Sequence, residues 1–240
     1  MNGAALDETQ RRAQAQFSRQ SERYAKGHVL ENVNDVAAAL ALIDIVAPAR
    51  VLDVACGAGH TGLHLASLGH RVTCADLSPQ MLERTCEAAA ARGLEIETRQ
   101  HTAEHLPYDD ASFDLVTCRV APHHFSSPAA FVSEVARVLK PGGRFLLIDG
   151  TVHEENSAAA NWLNRVEKLR DPSHVRLLSP AEWAALCQAA SLRVEHSLIG
   201  TKEQPDLEWY FEAAATSPEN RLAVRELIAG ADSSVRATYN

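Results

Sequence analysis

The chain has 240 residues, 46% of them hydrophobic and 22% charged, enough to bury the core of one generous domain. Its net charge of −8, from 23 Lys plus Arg against 31 Asp plus Glu with no basic run, argues against nucleic-acid binding. The longest apolar stretch, 36–49, is broken by Asp44 and Pro48, too short for membrane insertion. The first twenty residues lack the apolar middle of a signal peptide, and the five cysteines never form C-x-x-C. The expectation is a cytoplasmic globular enzyme without a bound metal, with self-association into a homo-oligomer left open.

In chain order, strand and helix patterns alternate, as in parallel βαβ units. Residues 8–30 are polar and predicted helical, anchored by Phe17 and Tyr24. Asn34 is the expected cap of a helix that places Val36, Leu40, Ile43 and Val46 on one face and stops at Pro48. A buried strand follows over 50–55, then a Gly-rich turn, a helix to about Leu68 and a second strand over 71–76. Ser78-Pro79 opens the next helix, which stops at Gly93. Residues 94–100 and 113–118 read as strands three and four. Ser127-Pro128 starts another helix, halted at 140–143, before strand five over 144–149. A helix over 157–169 and the capping box Ser179-Pro180-Ala181-Glu182 precede strand six, placed at 192–198. Residues 206–230 read as helical, and 231–240 as a weakly structured tail.

The chemistry concentrates at Gly57-Ala58-Gly59-His60-Thr61-Gly62, which fits G-x-G-x-x-G between a strand and a helix. Asp76 ends the next strand, where a carboxylate can accept both hydroxyls of a ribose. An adenosine-containing cofactor follows. A dinucleotide brings a pyrophosphate, which Asp53 beside the loop would repel. S-adenosylmethionine brings an ammonium and a sulfonium, which a nearby carboxylate suits. The Tyr-x-x-x-Lys pattern of common reductases is absent at Tyr24, Tyr108 and Tyr210, which are followed at that spacing by His28, Ser112 and Ala214.

Residues 35–198 resemble the class I S-adenosylmethionine-dependent methyltransferases, in the branch that holds the ubiquinone and menaquinone biosynthesis enzymes. The likeness rests on VLDVACGAGHTG (51–62), DLSPQML (76–82), TAEHLPYDDASFDLV (102–116), RVAPHHF (119–125) and EVARVLKPGGRFLLID (134–149). It implies a Rossmann-like, doubly wound α/β fold with a mostly parallel sheet. It also implies that Asp53, Ala55, Gly57 and Gly59 face the methionine part, and that Asp76, Leu77 and Met81 belong to the adenosine side. Thr102 and Ala103 would edge the adenine, and Arg119 and Val120 would line the cofactor from strand four. Ala55 stands where many members have Gly, and Thr102 where Asp is common. The family's sheet closes with an antiparallel seventh strand, yet no β-run follows Gly230 here. The expected division is one domain: a helical cap (1–34), a cofactor-binding core (35–150), a lid segment (151–178) and a C-terminal part (179–240).

His123 and His124 follow strand four at the carboxyl edge of the sheet, where open α/β folds bind ligands. Either is placed to act as a general base, with cofactor contact or packing as the competing roles. His60 and His64 have metal-ligand spacing but no third ligand, so a solvated helix face is the simpler reading. Arg170 and His174, in the loop RDPSH, are candidates for ordering an anionic or hydroxylated substrate, with Phe17 and Tyr24 closing the pocket. The leading expectation is methyl transfer to a small-molecule acceptor, leaving S-adenosylhomocysteine. The alternatives are a cofactor-binding protein without transfer or with other sulfonium chemistry, and a nicotinamide oxidoreductase.

Overall fold

The computed structural model describes residues 5–25, 28–201 and 206–239. Five parallel strands form its sheet: β1 (Arg50–Val54), β2 (Arg71–Asp76), β3 (Glu97–Gln100), β4 (Phe113–Arg119) and β5 (Leu139–Ile148), in the spatial order β3-β2-β1-β4-β5. The order reverses direction at β1, so the loops after β1 and β4 open a crevice at their carboxyl ends, the usual ligand site of such sheets. Alternation along the strands fills both faces. Leu52, Val54 and Val116 pack on Phe131, Val135 and Val138 of α5 (Pro128–Val138) and on Trp183 of α7 (Pro180–Ala189). Val51, Cys74 and Leu115 pack on Leu65 of α3 (His60–Ser67).

Local capping chemistry fixes several helix starts. Ser78 caps α4 (Pro79–Ala91) by accepting from Met81 N, and Ser127 caps α5 by accepting from Ala130 N. At α7 both halves of the capping box form, Ser179 with Glu182 N and Glu182 with Ser179 N. The polar first helix is α1 (Glu8–Ala25); of the expected 8–30 span, residues 26–27 lie outside the described residues, and 29–31 form a 3-10 turn.

Four expectations are corrected. The next helix, α2 (Asn34–Leu40), has Val33 rather than Asn34 at its cap and stops well short of Pro48, leaving Val46 82% exposed. Leu40 and Ile43 already reach the core, so nothing draws Val46 inward. Residues 192–198 form no strand. Their apolar-polar alternation meets only half of what a strand requires, because no described strand beside them supplies ladder hydrogen bonds. The helical C-terminal region is interrupted, into α8 (Leu207–Ala213) and α9 (Pro218–Ala229), where Ser217-Pro218 starts a new helix. These two pack on α6 (Ser157–Arg170) through Phe211, Val224 and Val166 rather than on a sheet edge, while Leu222 stays 59% exposed. Finally, the tail contains a helix, α10 (Ser233–Thr238), capped by Asp232. No helix among the described residues is long and apolar enough to cross a membrane.

Candidate active site

The crevice begins with the loop after β1. Ala55 and Gly57 both take positive φ, 53° and 56°, which turns the backbone toward the cleft. Gly59, at φ 84°, starts α3, and a Cβ there would meet Thr85 Cγ2 at 2.6 Å, so only glycine fits. Beneath the loop, Asp53 accepts from Gly62 N at 2.9 Å and from Thr117 Oγ1 at 2.7 Å. Asp53 and Gly59 therefore support the loop from behind, whereas Ala55, Gly57, Asp76, Leu77, Met81 and Thr102 form the wall of the cleft. Ala103, Arg119 and Val120 complete it, together with Phe17 and Tyr24 of α1. Val120, a β-branched residue at φ 51°, is a strained position on that wall.

Asp76 accepts from Gly57 N at 2.9 Å and Ser78 N at 2.8 Å, which fixes its carboxylate at the end of β2. Burial pushes its pKa up to about 6, and that of Asp53 up to about 7. Burial outweighs the hydrogen bonds in both shifts, and a cationic ligand in the cleft would favour the ionised form of Asp76. The cleft thus offers a carboxylate for a diol and the apolar side chains of Leu77, Met81 and Ala103 for a flat ring. An adenosyl sulfonium fits that donor set.

Over this cleft lies α1. Gln14 Nε2 donates to Leu77 O at 2.9 Å, and Ser18 Oγ lies 3.0 Å from Ser78 Oγ. Arg119 points the other way from the expected cofactor contact. Its three nitrogens are taken by Asp35 and by the carbonyls of Leu30 and Asn32, at 2.7–2.9 Å, so it clamps the segment before α2 onto β4. Four of its five N–H groups are thus engaged, and one on Nη1 stays open where the side chain borders the cleft.

The two histidines separate. His123 Nδ1 donates to Asp149 Oδ1 at 2.6 Å. Burial lowers its pKa, but the Asp149 carboxylate reverses this, and the net shift is upward. His124 Nδ1 lies 3.1 Å from Ser173 Oγ, and that hydroxyl donates to Asp171 Oδ1 at 2.6 Å. Since the one Ser173 proton is committed to Asp171, His124 must donate through Nδ1, leaving the Nε2 lone pair free. Burial and the charges of His123 and His174 hold the His124 pKa well below the usual histidine value, so the ring is neutral near pH 7. Phe17 packs edge-on against it, ring centroids 4.8 Å apart. His174 is 1% exposed and bonded to Asn164 Oδ1 at 3.0 Å, behind the wall rather than on it. Among the described residues, no three His, Cys, Asp or Glu side chains gather as a metal site.

A larger cleft of about 1580 Å³ adjoins the first and runs on along the open edge of β5. Tyr24, Leu30, Arg119, Val120 and His124 border both, so His124 stands at their junction. Asp149 and Glu167 were not singled out in the sequence, and Tyr210 entered there only through the absent reductase pattern. Glu167 accepts from Arg170 Nε at 2.9 Å and from the Tyr210 hydroxyl. The i, i+3 spacing of Glu167 and Arg170 was a visible signal for the first of these pairs; nothing local pointed to Tyr210.

This combination, a parallel sheet with a Gly loop and a carboxylate fixed at the end of β2 over an open cleft, is the arrangement expected of a nucleoside-cofactor enzyme of the methyl-transferring kind. Residues 52–147 match the family described as methyltransferase domain. A Bacillus subtilis protein named uncharacterized methyltransferase YcgJ is 40% identical over 177 residues, 73% of this chain and 70% of that protein. The crystal structure of YcgJ superposes with a TM-score of 0.81 and 33% identity, covering 86% of this chain and 88% of that one. A ubiquinone biosynthesis O-methyltransferase of Xanthomonas axonopodis is 33% identical over 156 residues, 62% of this chain and 64% of that protein. The chain belongs to the S-adenosylmethionine-dependent methyltransferase family, and S-adenosylmethionine is its cofactor.

Proposed function

We propose that the chain methylates a small molecule, with His124 as the general base. The observation that carries this reading is the free Nε2 of a neutral His124 at the junction of the two clefts. The roof formed by α1 also supports a small acceptor, since it covers the donor cleft and leaves the adjoining one as the approach. S-adenosylmethionine supplies an electrophilic methyl group, which the acceptor's electron pair takes as the carbon–sulfur bond breaks toward sulfur, leaving S-adenosylhomocysteine.

The protein's own part is alignment and proton removal. Asp76, Leu77 and Met81 hold the nucleoside end, the 55–57 backbone faces the methionine part, and Asp53 braces the loop from below. Orientation of this kind contributes roughly 7–11 kcal/mol in favourable systems. His124 Nε2 takes the acceptor's proton, and Asp171, acting through Ser173, keeps the ring in the required tautomer. S-adenosylhomocysteine release across a panel of phenols, quinols, amines and hydroxy acids tests the reading. With an acceptor less acidic than the assay pH, His124→Ala is expected to lower turnover by roughly 10²–10⁴ and to leave cofactor affinity nearly intact. A parallel fall in affinity would make His124 a cofactor contact instead. Absence of product across the whole panel, with S-adenosylmethionine bound, would favour a binding protein without transfer.

A further inference from the structure

Around the His124 end of the larger cleft, most carboxylate oxygens are engaged while several donors are not. Asp149 takes His123 on one oxygen at 2.6 Å and the His123 backbone N–H on the other at 3.1 Å. Glu167 is held by Arg170 and Tyr210. Asp171 Oδ1 takes both the N–H and the hydroxyl of Ser173. On the donor side, Arg170 gives Nε to Glu167 and hydrogen-bonds the Tyr210 hydroxyl, which leaves most of the four N–H groups on its two terminal nitrogens open. The guanidinium lies over the Tyr210 ring, 4.4 Å from the centroid, which sets its plane. His123, pinned through Nδ1, has Nε2–H without a partner among the described residues, and so has the Tyr24 hydroxyl. Tyr24, His123 and Arg170 all border this cleft.

From these unsatisfied donors we infer that the acceptor is an organic acid, whose carboxylate is bound by the Arg170 guanidinium with His123 and Tyr24. The inference rests on the methyl-transfer reading and adds the substrate class to it. A planar guanidinium with an N–H still open on each terminal nitrogen matches two carboxylate oxygens, and a histidine N–H and a phenol complete the oxygens' remaining lone pairs. Asp171 is the one carboxylate here with an oxygen lacking a described partner. Burial first, and the Asp171 charge second, raise the Tyr24 phenol's pKa to about 12, so Tyr24 is a donor throughout the neutral range. A carboxylate so placed leaves a hydroxyl or acidic carbon of the same molecule toward His124 Nε2. Arg170 and Tyr24 lie outside the matched family segment 52–147, so this selectivity belongs to the chain's additions rather than to its cofactor core.

The test needs no turnover. The full chain saturated with S-adenosylhomocysteine is titrated calorimetrically with 2-, 3- and 4-hydroxybenzoate and with lactate, each against its own primary amide. At least one acid is expected to bind tenfold or more tightly than its amide, with Arg170→Gln abolishing the difference and Tyr24→Phe reducing the acid's affinity about threefold. S-adenosylhomocysteine affinity within twofold of wild type shows that the donor side is intact. Should Arg170→Gln unfold because Glu167 loses its partner, Arg170→Lys keeps the charge but loses the fork, and the preference should shrink without vanishing. If no acid exceeds its amide by threefold, or the preference persists in a folded Arg170→Gln, the inference is overturned. Failure of the methyl-transfer reading shows differently, as selective acid binding with no product from any acceptor.

Discussion

The donor half and the acceptor half of the site are built by different means. On the donor side, backbone N–H groups do most of the holding: Gly57 and Ser78 on Asp76, and Gly62 on Asp53, across at most 19 residues, with the Thr117 hydroxyl on Asp53 as a side-chain contact from further off. On the acceptor side, side chains hold side chains over long stretches: Ser173 on His124 across 49 residues, and Tyr210 on Glu167 across 43. A backbone cradle tolerates changes in surrounding side chains, whereas a side-chain cluster is lost when one member is truncated. The first arrangement suits a cofactor that stays the same, the second a substrate that differs between relatives.

The largest expected effect breaks the donor side where it depends on one side chain. Asp76→Ala should weaken S-adenosylmethionine binding by about 2–4 kcal/mol, measured by calorimetry, while acid binding on the other side is unaffected. Unchanged affinity would remove Asp76 from the cofactor site. A second expectation concerns protons. Asp53 and Asp76, at about 7 and about 6, hold protons in the folded, ligand-free chain that an unfolded carboxyl near 3.9 has released. Their contribution to stability is thus full below about pH 4 and declines as pH rises through 6 and 7. A bound cation favours both ionised forms, so S-adenosylmethionine should bind more tightly across that window and release protons. Calorimetry at pH 6.5 in buffers of different ionisation enthalpy reads this, and a buffer-independent enthalpy would contradict it. The smallest effect sharpens the backbone half. Ala55, at φ 53°, carries a left-handed strain that Ala55→Gly relieves, with an expected gain of about 0.5–1 kcal/mol in urea unfolding. A loss instead would mean that packing of the Ala55 methyl outweighs the strain.

What could be read from the sequence follows the same division. The Gly loop, Asp76 and the serine caps were legible because each is specified by residues within one turn or one βαβ unit. Tyr210 and Asp35, the partners of Glu167 and Arg119, were not, since their roles exist only once distant segments meet. Strand six failed for a related reason: alternation at 192–198 describes a segment ready to pair, and pairing is decided elsewhere in the chain. At the tail the omission was local, because Asp232-Ser233-Ser234 carries an ordinary N-cap signal that accepts from Ser234 N and Val235 N.

The roof over the donor cleft has a consequence for how molecules come and go. The buried positions of α1 are Gln16, Gln20 and Ser21, and the helix is tied to Leu77, Ser78 and Ala214 by amide and hydroxyl groups. Each tie exchanges for a water at a net cost of about 0.5–1.5 kcal/mol. Retention of what lies beneath is therefore governed by polar exchange more than by an oily seal. Admission and egress can then proceed by peeling one helix, with the sheet and its loops left in place for the next cycle.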